Sequence, residues 1–202
     1  MDEIVLRAMV KWPNVPDCYG WLALDARGNW RMRDEPAQRA DLAGDKIEHT
    51  ALCGFINRNY ASDDSGRWYF QNGPQRVYVN LQATPYIART DPIDGLVLHT
   101  GAVMEPVDRV WLTSGGSVVF QSADRIAQLD DRDTAQCLAM IYQDDAVASD
   151  SALLEWLDSA GGCASLRMVL RTRSLVRSVP IEWRDHATLM RASGFVQLPQ
   201  PD

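Results

Sequence analysis

The chain has 202 residues, which is enough for one large domain or two small ones with a substantial core. An apolar fraction of 46% and a charged fraction of 23% are typical of soluble globular proteins, and no apolar run approaches the roughly 20 residues that cross a bilayer. A net charge of −7 disfavours binding to nucleic acid, because phosphate backbones repel an acidic surface.

The chain begins with MDEIVLRAMVKWPNVPD, which carries two early acids and no long apolar stretch. This is not a secretory signal, so we expect a cytoplasmic protein without a membrane partner. The isolated cysteines of such a protein are expected to be small hydrophobic residues rather than disulfides or ligands. No histidine completes a ligand pattern, and the sequence therefore predicts no metal and no cofactor.

Residues 18–33, CYGWLALDARGNWRMR, are typical of a β-hairpin. Residues 25–28 have turn chemistry, and Gly28 can adopt the positive φ that a tight turn requires. Trp30 and Met32 then alternate with polar residues, which is the pattern of a half-exposed strand.

A second hairpin is predicted over residues 66–81, GRWYFQNGPQRVYVNL, with its turn at Asn72-Gly73. On the first arm Trp68 and Phe70 face one way and Tyr69 faces the other. On the second arm Arg76, Tyr78 and Asn80 alternate with three aliphatic residues.

One face of this hairpin is therefore core, and the other carries Tyr69, Arg76 and Tyr78. Aromatic and arginine side chains together suit contact with a protein partner or a small ligand. The alternative is that a second layer, such as a C-terminal helix, covers this face too. The intervening stretch GDKIEHTALCGFINRNY fits a short helix or a strand, and its periodicity does not decide between them.

Several turn signals follow, and a third hairpin is predicted with arms at 110–113 and 118–120 around Ser-Gly-Gly-Ser at 114–117. Three hairpins with frequent turns favour an antiparallel, barrel-like or sandwich sheet. We therefore expect a β-rich lobe over residues 1–130.

The composition changes after residue 130. Helices are predicted within 134–142, where a strand is also compatible, within 149–160, and within 180–194, where Gly194 would end the helix.

Between the second and third of these helices, LRMVLRTRSLVRS places four arginines on one face of a single strand. Met168, Leu170 and Thr172 lie on the other face, with Ser174 and Val176 beyond. This alternation is typical of a half-buried strand with a solvated basic face. The segment 131–202 is expected to be a mixed lobe packed on the first, giving one integrated α+β protein.

The best acidic cluster lies in QLDDRDTAQ, where Asp130, Asp131 and Asp133 offer oxygens to a divalent cation. The cluster lacks the spacing of a calcium loop and is also typical of a helix start. An enzyme would require Asp131 and Asp133 to converge with His99 or Arg132 in one cleft. The chain contains no G-x-S-x-G elbow, phosphate loop or G-x-G-x-x-G motif.

The pattern G-x-W, then NGPQRVYV, then TPYI resembles uncharacterised proteobacterial proteins of the domain-of-unknown-function type. In one such group, related D-G-x-W and P-x-E hairpins build paired small β-barrels. The resemblance covers about residues 20–120 and implies a β-rich fold. It implies no known activity, so no catalytic residue can be carried over.

The sequence leaves three functional hypotheses. The first is a binding or adaptor module that uses the face with Tyr69, Arg76 and Tyr78, and it predicts a large exposed apolar patch. The second is an enzyme with an acidic cleft around Asp131 and Asp133. The third is a structural protein that self-associates, for example as a homodimer, through an exposed hairpin edge.

Overall fold

A computed structural model describes residues 1–173 and 175–201 of the chain. The chain divides into two compact units: unit 1 contains Met1–Pro85 and the segment from Gly194 onward, and unit 2 contains Tyr86–Ser193. This division differs from the expected lobes 1–130 and 131–202, because strands from both sides of residue 130 pair within one sheet of unit 2. The predicted position of Ser174 on the basic strand lies outside the described residues.

Unit 1 is built from three helices and six strands. The helices are α1 (Glu3–Lys11), α2 (Glu35–Arg39) and α3 (Thr50–Arg58). The strands are β1 (Cys18–Leu24), β2 (Trp30–Met32), β3 (Asp45–Lys46), β4 (Tyr60–Ser62), β5 (Trp68–Asn72) and β6 (Gln75–Leu81). They form one sheet in the order β3-β2-β1-β6-β5-β4, in which β1 and β6 are parallel and the other neighbours antiparallel.

The two hairpins predicted in this unit are confirmed. The β1–β2 turn is closed by the Asp25 carboxylate, which accepts hydrogen bonds from the backbone N–H groups of Arg27 at 3.0 Å and Asn29 at 2.9 Å. Gly28 and Gly73 supply the positive φ values of the two turns, +76° and +58°.

Helices also occur in the N-terminal part of the chain, and the sequence did not predict α1 or α2. The stretch that fitted a helix or a strand contains the short strand β3 and then α3. His49 caps α3, because its Nδ1 accepts a hydrogen bond from the N–H of Leu52 at 3.1 Å.

Helix α3 covers one face of the six-stranded sheet. Phe55 packs edge-on against Phe70 with ring centroids 5.4 Å apart, and Ile56 is fully buried. Trp30 donates a hydrogen bond from Nε1 to Asn57 Oδ1 at 2.7 Å, which ties the helix to β2. The apolar face of the second hairpin is therefore core, as expected.

Unit 2 contains a nine-stranded sheet and three helices. The strands are β7 (Tyr86–Asp91), β8 (Gly95–Leu98), β9 (Arg109–Thr113), β10 (Val118–Ser122), β11 (Arg125–Leu129), β12 (Ile141–Gln143), β13 (Ala146–Val147), β14 (Leu166–Arg171) and β15 (Val176–Arg184). The helices are α4 (Thr134–Leu138), α5 (Asp150–Asp158) and α6 (His186–Ala192), and a 3-10 turn spans Asp131–Asp133. The sheet order is β13-β12-β14-β15-β9-β10-β11-β7-β8, with β7–β11 and β9–β15 parallel.

The α+β class and the β-rich content are confirmed, but both sheets are mixed rather than purely antiparallel. The third predicted hairpin is β9–β10. Helix α5 lies within the predicted range 149–160 and is capped by Ser149, whose Oγ accepts a hydrogen bond from the N–H of Ala152 at 3.2 Å. Helix α6 buries Leu189 and Met190, and Gly194 follows its end with φ +72°, as predicted.

Three boundaries of unit 2 differ from the predicted ones. The helix expected over 134–142 ends at Leu138, and the next three-residue element is the strand β12. The helix expected from 180 begins only at His186, because 180–184 belong to β15. The single basic strand is really β14 and β15, since Thr172 and Leu175 close a turn with an N–H···O bond of 2.9 Å.

Candidate functional site

The second hairpin has the register that alternation predicts. Tyr69 pairs with Tyr78 and Gln71 pairs with Arg76, so these side chains share the face opposite Phe70 and Val77. The residues proposed for binding in unit 1 are therefore brought together. Their face points away from α3.

Both tyrosine rings on this face are buried, with Tyr69 7% and Tyr78 1% exposed. Within unit 1, the cover comes from β1 of the same sheet. Tyr19 of β1 stacks on Tyr78 with ring centroids 4.6 Å apart and an interplanar angle of 10°. Tyr69 meets Tyr78 edge-on at 5.8 Å, and the three rings form one packed aromatic layer.

Charged side chains hold this aromatic layer. The Tyr78 hydroxyl donates to Asp63 Oδ2 at 3.0 Å, and Arg67 Nε donates to the same oxygen at 2.8 Å. The Arg67 guanidinium lies 5.2 Å from the Tyr78 ring centre, and that of Arg76 lies 4.7 Å from the Tyr69 ring centre. We call Tyr19, Asp63, Arg67, Tyr69, Arg76 and Tyr78 the tyrosine–arginine cluster.

The ionisation of the cluster follows from this arrangement. Burial raises the pKa of Tyr78 to about 12; the hydrogen bond with Arg76 opposes this change and the bond to Asp63 adds to it. Burial also acts to raise the pKa of Asp63, but hydrogen bonds from Arg67 and Tyr78 outweigh it and leave the pKa below its usual value. Near neutral pH the cluster therefore contains a neutral phenol that donates to a carboxylate.

The outer edge of the cluster carries polar groups that the protein does not use. Within residues 1–173 and 175–201, the hydroxyls of Tyr19 and Tyr69 make no hydrogen bond, and both side chains retain some exposure. Arg76 is half-buried and is fixed by its contacts with Tyr69 and Tyr78. Such an arrangement can hold a carboxylate or another acceptor against a rigid aromatic surface.

Sequence reasoning missed three members of this cluster. Asp63 and Arg67 carry a signal in the sequence, because an acid four residues before an arginine across a turn can form an ion pair. Tyr19 carried none. The pairing of β1 with β6 shifts register between Cys18 and Leu22, which breaks the simple alternation of the strand.

The acidic cluster of unit 2 has a structural role. Asp130 is completely buried and is paired with Arg132. Asp133 is also buried; it accepts hydrogen bonds from the Thr90 N–H at 2.8 Å and the Thr90 hydroxyl at 3.1 Å. These bonds join the 3-10 turn to β7.

Of the remaining predicted groups of an acidic active site, Arg132 adjoins the cluster and is paired with Asp130, whereas Asp131 and His99 do not converge on Asp133. Asp131 lies on the exposed side of the 3-10 turn. His99 accepts a hydrogen bond at Nδ1 from the Ile87 N–H, three positions before Thr90 on β7, which corresponds to about 10 Å along a strand. Over the described ranges, no group of three or more acidic, histidine or cysteine side chains is placed to hold a metal ion.

The cysteines show no pairing, and all four are free thiols. Burial raises the pKa of the Cys137 thiol to about 12, so it is an unreactive core residue as expected. Cys163 is exposed, which differs from the expected burial, because it lies in the loop after α5.

Comparison with known proteins places this chain in a family. A family designated DUF2944 and described as "Protein of unknown function (DUF2946)" matches residues 1–200. The chain is a member of the DUF2944 family. The expected resemblance to domain-of-unknown-function proteins is confirmed, and the family name assigns no specific function.

This DUF2944 protein is similar to two solved bacterial structures of the DUF1285 family. The protein from Silicibacter pomeroyi DSS-3 has 12% sequence identity over 88% of this chain and 87% of that chain, with a TM-score of 0.48. The protein from Shewanella baltica OS155 has 13% identity over 55% of this chain and 85% of that chain, with a TM-score of 0.40. A search of curated proteins finds no match. Across the described part of the DUF2944 chain, no helix has both the length and the apolar character needed to span a membrane.

Proposed function

We propose that this DUF2944 protein is a cytoplasmic binding or adaptor module whose partner surface is the outer edge of the tyrosine–arginine cluster. The observation that carries the proposal is the placement of Arg76, which is half-buried and lies 4.7 Å from the centre of the Tyr69 ring. Arginine and tyrosine dominate binding hot spots, and an arginine that is already fixed loses less side-chain entropy on binding.

The partner expected at this surface is a protein that presents a carboxylate. The guanidinium group of Arg76 supplies the charge, and the hydroxyl groups of Tyr19 and Tyr69 can donate beside it. The cytoplasmic location is supported by the separated free cysteines, since disulfides are rare in that compartment. The net charge of −7 supports a partner other than nucleic acid or an anionic membrane.

The exposed apolar patch that this hypothesis predicted does not coincide with the tyrosine rings. Exposed apolar residues occur instead on α1, where Ile4 is 72% and Val10 is 85% exposed. Arg76 and the two hydroxyls therefore carry the proposed recognition, rather than a wide apolar surface.

Self-association through the edge of the second hairpin does not fit the sheet order. Strand β4 covers one side of the β5–β6 pair and β1 covers the other, so both edges are already hydrogen-bonded. A homodimer formed through another surface stays a prediction. Native mass spectrometry of the protein purified from its own host would give the mass of the assembly and so test it.

The test of the proposed surface is affinity capture from host lysate with Arg76→Glu. Reversal of this charge should remove the partner that the wild-type protein captures. Arg171→Glu is the matched control, because Arg171 is an exposed strand arginine of unit 2 with the same change in net charge. Thermal unfolding of both variants checks that they fold.

The expected result is a protein that is captured by the wild type and by Arg171→Glu but reduced at least tenfold with Arg76→Glu. Capture of the same proteins in the same amounts by all three forms would show that the cluster is not the partner surface.

A further inference from the structure

A second feature of unit 1 is an open cleft of about 230 Å³ beside α2 and the end of β6. Its polar lining includes Arg31, Arg33 and Asn80, and its apolar lining includes Leu24, Leu81 and Leu198. We call it the arginine cleft. A cavity of about 150 Å³ holds benzene, so the arginine cleft has room for one aromatic ring or a short aliphatic chain.

Both arginines are fixed by hydrogen bonds to the walls of the cleft. Arg31 donates from Nε to Asp25 Oδ2 at 2.7 Å and from Nη1 to the Gly44 carbonyl at 3.0 Å. Arg33 donates from Nε to the Leu42 carbonyl at 2.9 Å and from Nη2 to Asp41 Oδ1 at 3.0 Å. The side-chain positions are thus set before any ligand arrives.

Each guanidinium group keeps one nitrogen that these bonds do not use. Nη2 of Arg31 and Nη1 of Arg33 have no hydrogen-bond partner among the residues that the structure describes. The Arg33 side chain is only 9% exposed. Neither nitrogen is sealed from solvent, so both can donate to an oxyanion that enters the open cleft.

The carboxylates of the cleft do not compete for these nitrogens. Asp25 is buried and already accepts bonds from Arg27, Asn29 and Arg31. Asp41 is 95% exposed at its side chain and faces water apart from its single bond to Arg33. The net charge of −7 acts weakly here, because salt screens charges beyond about 10 Å.

The floor of the cleft combines an amide with aliphatic side chains. Asn80 lies two positions after Tyr78 on β6, and its side-chain amide makes no hydrogen bond within the described ranges. Leu24 and Leu81 pair across β1 and β6, but their side chains are buried on the opposite face of the sheet from Asn80. The accessible apolar lining comes instead from Leu42 and Leu198, which are both exposed. Pockets for small molecules have this character, with an apolar surface and a few fixed polar groups.

We propose that the arginine cleft binds a small organic carboxylate, with its carboxylate at Arg31 and Arg33 and its apolar body against Leu42 and Leu198. The site goes beyond the proposed partner surface and does not depend on it, since no residue is shared between the two. A carboxylate is favoured over a phosphate ester because its two oxygens match the two free guanidinium nitrogens, and because Asp25 and Asp41 in the lining disfavour a second negative charge.

The test is an NMR titration of the full chain with benzoate, and with benzyl alcohol as the neutral probe of similar size. Benzoate should bind saturably and shift the signals of the Arg31 and Arg33 side-chain Nε–H groups, whereas benzyl alcohol should bind at least tenfold more weakly. A parallel titration with phenyl phosphate distinguishes a site for carboxylates from a site for phosphates.

The decisive variant is Asn80→Asp, which keeps the size of the side chain and places a negative charge on the floor of the cleft. A charge this close to a bound carboxylate should weaken benzoate binding at least tenfold. Asn72→Asp, at an exposed position on β5 of the same sheet, is the matched control and should leave binding unchanged.

Three results would overturn the proposal: no saturable binding of benzoate, equal binding of benzyl alcohol, or unchanged binding by Asn80→Asp. Tighter binding of phenyl phosphate than of benzoate would replace the carboxylate assignment with a phosphate one. None of these results depends on whether Arg76→Glu loses a protein partner, so the two proposals fail separately.

Discussion

Tyr78 and Tyr69 lie opposite each other on one face of the sheet, but their hydroxyl groups have different environments. The Tyr78 hydroxyl donates to Asp63 Oδ2 at 3.0 Å, while the Tyr69 hydroxyl makes no hydrogen bond within the described residues. The pair therefore separates the effect of a buried hydrogen bond from that of the ring itself.

Replacing Tyr78 by phenylalanine removes one donor from Asp63 and keeps the ring. We expect a loss of about 1–2 kcal/mol in the free energy of unfolding, measured by urea denaturation at pH 7. Tyr69→Phe is the matched control and should change this free energy by less than about 0.5 kcal/mol. Equal effects of the two substitutions would contradict the assigned role of the Asp63 contact.

Tyr78→Phe should also change how the free energy of unfolding depends on pH. Burial raises the pKa of Tyr78 from 10.0 to about 12, so between these values the unfolded chain has lost a proton that the folded protein keeps. Stability from this group is complete below pH 10 and decreases as the pH rises toward 12. Urea denaturation at pH 8.5 and pH 11 should therefore show a smaller alkaline loss for Tyr78→Phe than for the wild type.

At the scale of the element, the segment between α2 and β3 is held against β2. The two arginines of the cleft bind its carbonyl groups, and Gly44 has φ +80°. A Cβ atom on Gly44 would lie 2.3 Å from the Met32 carbonyl oxygen. Both the backbone conformation and the space therefore require glycine.

Gly44→Ala should destabilise the protein by more than the conformational cost alone. Gly116→Ala is the matched control, because Gly116 has φ +75° but its added Cβ would meet nothing within 4 Å. A left-handed conformation costs a non-glycine residue about 1–2 kcal/mol, so the control should lose that much and Gly44→Ala clearly more in chemical denaturation. Similar losses of unfolding free energy in both variants would show that the segment between α2 and β3 can shift away from Met32 without destabilising the protein.

The elements that sequence predicts well are the ones with local causes. The three hairpins follow from turn residues and alternation, and the shared face of Tyr69, Arg76 and Tyr78 follows from the same period. The parallel strand pairs cannot be predicted from local sequence. The partners β1 and β6, and likewise β9 and β15, are far apart along the chain. The burial of the tyrosines depends on such a pair, since Tyr19 reaches Tyr78 from β1.

At the scale of the whole molecule, unit 1 is formed by two separate pieces of the chain. The chain leaves it after Pro85, forms unit 2 and returns at Gly194. The returning segment is hydrogen-bonded to the sheet region: the Val196 N–H donates to the Gly66 carbonyl at 2.9 Å, and the Leu81 N–H donates to the Gln197 carbonyl at 2.8 Å.

Removal of residues 194–202 should therefore weaken unit 1 and leave unit 2 largely unchanged. Hydrogen exchange followed by mass spectrometry can compare the two units in one experiment. We expect faster exchange at Leu81 and in β5 and β6, with little change in β9 and β10. Equal acceleration in both units, or none in either, would contradict the division of the chain.

This return of the chain has a consequence for synthesis on the ribosome. Unit 2 is continuous, and all of its residues emerge before the segment that begins at Gly194. At about 5–20 residues per second, translation of the intervening residues takes on the order of ten seconds. During that interval the N-terminal sheet has no partner for the Gly66 carbonyl and the Leu81 N–H, so nascent unit 1 must wait for its last segment while unit 2 can already fold.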